Sequence, residues 1–144
     1  MTPDAIVAAA RAAIDTPFVH QGRQAGVGLD CAGLLVHVAS EIGVAPIDRS
    51  GYARMPGNGQ IEEALQEHVD AGILVRVPMT DMRHGDLLLL RFGGEKAARH
   101  LAVCAGETMI HAWAMVGKVC EHRIDGVWKR CIVRVYRFSG VGHG

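Results

Sequence analysis

The stretch GLDCAGLL, residues 28–35, decides the reading of the fold, because it sets an acid and a thiol at the mouth of an apolar helix. Leu34, Leu35, Val38 and Ile42 follow Cys31 at helical spacing, so the thiol faces the protein body. Gly43 supplies a stop, and the spacing predicts a helix from Cys31 to Ile42. A thiol there meets the positive end of the macrodipole and unpaired backbone N–H groups, which favour thiolate and could hold an oxyanion. Asp30 is placed as the N-cap. Its charge opposes thiolate formation, and a cationic imidazole nearby is needed to tip the balance.

A base is therefore sought among eight histidines. His37 lies off the thiol's helical face, His68 sits among glutamates on an amphipathic helix, and His84 falls in a turn. His122 is flanked by Glu121 and Arg123, and His143 is near the end of the chain. These five read as surface side chains. His100 and His111 differ, because both lie in RHLAVCAGETMIHAW, residues 99–113. A two-residue turn at Gly106 and Glu107 sets Ala105 opposite Thr108, Ala102 opposite His111 and His100 opposite Trp113. The two histidines then become diagonal neighbours on one sheet face, roughly 7 to 8 Å apart before their rings turn together. One ring can orient the other, which with Cys31 completes a nucleophile, a base and an orienting group. The alternative is a pair of ordinary sheet histidines, since a slip of one residue in register breaks the pairing.

Outward from these stretches, Thr2 and Pro3 cap a first helix that runs toward Asp15, and glycines at 22, 26 and 28 mark a loop from Pro17 to Leu29. Beyond RMPGNGQ, residues 54–60, read as flexible, a third helix is expected over Gln60–Val69. After Gly72 the runs ILVRV, DLLLL, HLAVCA, TMIHAW, KVCEHRI and RCIVRVYRF read as strands. Helices early and strands late predict an α+β fold, with helices packed on one face of an antiparallel sheet and one domain over residues 1–144. The sequence shows no secretory signal, and no apolar run approaches the roughly 20 residues that span a bilayer. Synthesis in the cytoplasm without membrane insertion is the expectation. Formal charge is zero; Met1–Asp70 carries four basic and nine acidic side chains, against six and two in Lys118–Gly144. That asymmetry is mild, and the overall balance argues against nucleic acid as a partner without forbidding a polyanion at one edge. The cysteines at 31, 104, 120 and 131 form no CxxC pair, which disfavours zinc and assigns the last three to packing.

From TPFVHQG through GLDCAGLL, HGDLLLL, RHLAV and MIHAW to VYRF, the chain resembles the NlpC family of papain-like cysteine peptidases. The resemblance implies that Cys31 is the nucleophile at its helix N-terminus, His100 the base and His111 the orienting group. It implies hydrolysis of peptidoglycan stem peptides through a thioester, commonly at the amide between γ-linked D-glutamate and a diamino acid, with no cofactor and no metal. The form HQGR…GLDCAGLL is most similar to members from bacteriophage tails and gene-transfer agents, which implies other tail proteins as partners and incorporation into the virion. Asp30, associated in the family with a substrate amine, is kept. The family's serine after the cysteine is Ala32 here, and a tyrosine of the preceding loop is Phe18. His20 and Arg23 could supply replacement polar contacts for substrate, or serve as solvated loop residues.

Three competing readings stay open. One is a tail-assembly protein that keeps the fold without turnover, recognised by equal reactivity of all four thiols. Another is a thiol amidase or acyltransferase with a non-wall substrate, recognised by its products. A metal-binding module using His100, His111 and Cys104 is the weakest.

Overall fold

The computed structural model describes residues 1–52 and 59–142. Most of RMPGNGQ, as well as His143, lies outside them. Helix α1 (Pro3–Ala12) begins as expected, with Thr2 Oγ1 accepting from Ala5 N and proline in the first turn. It stops three residues short of Asp15, which takes a left-handed φ of 73°. The loop that follows contains a small ribbon, β1 (Arg23–Gln24) against β2 (Gly28–Leu29). Gly28 O lies 2.5 Å from where a Cβ on Gly22 would sit, so only glycine lets the two backbones approach this closely.

Helix α2 (Cys31–Glu41) starts at the thiol, and Asp30 caps it by accepting from Gly33 N at 2.7 Å. Helix α3 covers Gln60–Asp70. The strands are β3 (Leu74–Val77), β4 (Leu87–Leu90), β5 (His100–Cys104), β6 (Thr108–Trp113), β7 (Lys118–Arg123) and β8 (Ile132–Phe138). They form one antiparallel sheet in the order β3-β8-β4-β5-β6-β7. RCIVRVYRF divides differently from its expectation: α4 (Gly126–Cys131) precedes β8, nucleated by Asp125, whose carboxylate accepts from Val127 N and Trp128 N. The cap overrides the short apolar run because it satisfies early helical N–H groups locally.

The core has two sides. Ile6, Ala10, Leu34 and Val38 from α1 and α2 pack on Leu87, Leu89, Val103 and Ile110 of the sheet. Leu88, Leu90, Ala102 and Met109 point the other way, toward Ile124 and Trp128. All four leucines of β4 are therefore buried, as a strand covered on both faces requires. Cys104 is buried in the second cluster and Cys131 packs against it, while all four cysteines are free thiols. Among the described residues no helix is long and apolar enough to cross a membrane.

Candidate active site

Cys31 and His100 line one cavity of about 610 Å³, whose wall includes Phe18, Asp30, Ala32 and Trp113. Helix α2 delivers the sulfur and the first residue of β5 delivers the imidazole. The hairpin register is the one expected from sequence. Ala105 N donates to Thr108 O at 2.8 Å, and Cys104 pairs with Met109 and Val103 with Ile110, around Gly106 at φ 93°. Continued along the strands, this register makes His100 and His111 diagonal neighbours. His100 Nε2 lies 2.5 Å from His111 Nδ1, and the ring centroids are 4.8 Å apart. His100 is 8% exposed and His111 is fully buried.

The histidine cluster extends further than the sequence reading. His111 Nε2 meets His122 Nε2 at 2.8 Å, and His122 Nδ1 donates to Arg123 O at 2.9 Å. The three rings form a chain across β5, β6 and β7. Trp113 stacks on His111, and Trp128 of α4 meets His111 edge-on and lies tilted against His122. His122 is thus a half-buried member of the cluster rather than a surface side chain. His68 is corrected as well. It is 5% exposed, its Nδ1 donates to Ala64 O, and its Nε2 accepts from Ile47 N, tying the 44–52 segment to α3. His37 reaches Ala9 O between α1 and α2, and His84 meets Asp4 at 3.1 Å.

Electrostatics place the thiol in its neutral form. Burial pushes Cys31 up to about 12, and the Asp30 charge adds to the shift. Backbone N–H groups of Leu101, Ala32 and Cys31 pull the other way, as a helix N-terminus should, but they do not win. Burial, helped by His122, pushes His100 down to about 4; burial and both neighbouring rings hold His111 lower still. A neutral thiol therefore shares its cavity with the neutral imidazole of His100, and the proton leaves sulfur only when a base receives it.

Asp30, on the same cavity, carries four internal bonds. Oδ1 accepts from Gly33 N and from Arg23 Nη1 at 3.0 Å, while Oδ2 accepts from Gln21 N at 2.8 Å and from the Tyr52 hydroxyl. Arg23 also donates to Asp48, Gly22 O, Arg49 O and Tyr52 Oη. Among the described residues no group of His, Cys, Asp or Glu is arranged to hold a metal ion.

The sequence model of the NlpC/P60 family matches residues 15–137. The chain belongs to the NlpC/P60 family. Its fold is similar to that of the NlpC/P60 domain of the peptidoglycan hydrolase SagA, at 26% identity and a TM-score of 0.61 over 94% of this chain and 97% of that one. A lipoprotein-like NLP/P60 protein from Staphylococcus aureus shares the fold at 18% identity and a TM-score of 0.65, covering 94% of this chain and 40% of that one. RipD of Mycobacterium tuberculosis, a non-catalytic NlpC/P60 protein adapted to peptidoglycan binding, is 16% identical with a TM-score of 0.57, over 94% of this chain and 95% of that one. This NlpC/P60 chain thus spans less than half of the staphylococcal protein. No protein of curated function matches the sequence.

Within this NlpC/P60 fold, the expected binding residues take different positions. Phe18 and Ala32, which carry no hydroxyl, both line the cavity wall. His20 lies 3.3 Å from Gln21 Nε2 and meets the Tyr52 ring edge-on. Arg23 also lines the cavity, with its guanidinium bound internally to Asp30 and Asp48. Tyr52 was missed, since nothing in its local sequence signals a bond to an acid 22 residues earlier.

Proposed function

We propose that this NlpC/P60 chain is a cysteine endopeptidase that hydrolyses an amide of peptidoglycan stem peptides through a thioester. The observation that carries this reading is that His100, hydrogen-bonded to the buried His111, lines the same cavity as Cys31. His100 takes the thiol proton as the sulfur attacks the substrate carbonyl, and the Cys31 backbone N–H helps hold the developing oxyanion. His100 then gives that proton to the departing amine. Water, deprotonated by the same imidazole, releases the acid and restores the thiol. No organic cofactor enters this sequence.

Residues 1–144 act as one catalytic unit in this reading. The phage-tail or gene-transfer-agent setting rests on the form HQGR…GLDCAGLL alone. In that setting the chain is made in the cytoplasm, joins other tail proteins in the virion and opens the wall locally. Incubation of wild type and Cys31→Ala with purified peptidoglycan, followed by mass spectrometry of the fragments, tests the chemistry. A Cys31-dependent cut within the stem is expected; intact stems with both proteins overturn the reading.

A second reading has its own support. Asp30 is fully occupied, Phe18 and Ala32 lack hydroxyls, and RipD is a non-catalytic protein of the same fold. A peptidoglycan-binding protein without turnover would retain sacculi in a pull-down while leaving their stems uncut.

A further inference from the structure

The hydrogen bonds at the far end of the ring chain fix where every proton sits. A carbonyl oxygen only accepts, so His122 Nδ1, 2.9 Å from Arg123 O, carries the hydrogen and leaves the lone pair of the neutral ring on Nε2. His111 Nε2 must then donate across 2.8 Å, which makes its Nδ1 an acceptor. His100 Nε2 donates to that atom. One imidazole lone pair is left over, on His100 Nδ1, in the ring that shares the cavity with Cys31.

From this geometry we infer that His122 is a positioning residue that sets the tautomers of His111 and His100 and so frees His100 Nδ1 for the Cys31 proton. The consequence for catalysis rests on the peptidase reading, whereas the tautomers themselves do not. The ring is held in place for this task, with its centroid 4.6 Å from that of Trp128 and 4.8 Å from that of His111. Proton uptake at His122 Nε2 reverses the chain. That nitrogen becomes a donor, His111 must accept at Nε2 and donate from Nδ1, and His100 must accept at Nε2 and carry its hydrogen on Nδ1. The base is then blocked. Among the described residues, the titratable groups facing His122 are His111 on β6 and, behind it, His100 on β5; α4 presents the uncharged Trp128. Glu121, its neighbour on β7, is engaged by Arg11 and Thr108.

The test uses the full chain with His122→Phe, which removes the acceptor, and His122→Gln, whose amide oxygen still accepts. Nitrogen-15 spectra of the imidazoles report tautomers directly. Wild type and His122→Gln should show His100 and His111 protonated at Nε2, whereas His122→Phe should show mixed forms. Cys31 alkylation by iodoacetamide, followed by peptide mass spectrometry, should fall about tenfold at its plateau in His122→Phe, the population effect of one lost hydrogen bond, and recover in His122→Gln. Unchanged tautomers and an unchanged plateau in His122→Phe overturn the inference. If wild-type Cys31 reacts no faster than the other thiols, the peptidase reading falls while the nitrogen spectra still decide the role of His122.

Discussion

Two walls flank Cys31, and they handle polarity in opposite ways. On one side Asp30, Arg23, Tyr52 and Asp48 form a charged cluster in which every Asp30 lone pair and every Arg23 donor is used internally. On the other, three imidazoles pass hydrogens along a line that leaves one basic nitrogen over. A saturated charge network holds shape, because any new partner must displace an existing one. A neutral chain with one unfilled lone pair can react. The contrast assigns structure to the Asp30 wall and proton transfer to the His100 wall.

The strongest way to break that contrast is His100→Ala, which removes the reactive nitrogen. Cys31-dependent cleavage should fall by roughly 10²- to 10⁴-fold while the melting curve changes little, as measured by muropeptide release. An equal loss of fold and activity would make His100 as structural as Asp30.

Next in size is Arg23→Met, which strands the Asp30 carboxylate, whose side chain is only 6% exposed. Urea denaturation should show a loss of about 3 kcal/mol, the cost of leaving a buried charge without its partner. A change within error would mean that the Asp30 wall is not the framework of the site.

The pH dependence of stability separates the two walls more gently. His100 falls from 6.5 to about 4 on folding, so between these values the unfolded chain binds the extra proton and stability is lost as pH drops. His111 adds in the same direction. Cys31 rises from 9.0 to about 12, so above 9.0 the unfolded chain ionises first and stability is lost as pH rises. Denaturation midpoints should form a plateau between these limits, and Cys31→Ala should flatten the alkaline side. An alkaline side unchanged in that variant would remove the buried neutral thiol from the account.

The smallest expected effect is that of Asp30→Asn on sulfur. Removing the charge that helps raise the Cys31 thiol should move the rise of its alkylation rate to lower pH. No movement would leave burial as the whole cause of the shift.

Much of the reactive wall was legible in the sequence. A two-residue turn sets the 100–111 diagonal by arithmetic, because strand side chains alternate strictly and a hairpin fixes register. The same arithmetic applies once more: His111 pairs with Cys120, so His122 is the next diagonal neighbour. It was overlooked because Glu121 and Arg123 beside it look exposed, yet alternation sends them to the other face. His68 was misread for a related reason, since helix α3 is polar in sequence but lies under the 44–52 segment. Helix α4 was hidden because its last two residues, Arg130 and Cys131, open the run that reads as a strand.

The sequence by itself determined the α+β order, the helix that opens on Cys31 and the pairing of His100 with His111, because each depends on spacing within one element or across one tight turn. Only the tertiary structure decided that the thiol rests neutral, that Asp30 is already occupied, and that Tyr52 and Trp128 close the two walls. Those properties arise from desolvation and from contacts between segments far apart in the chain, and local spacing does not encode how much water is excluded or which distant partner arrives.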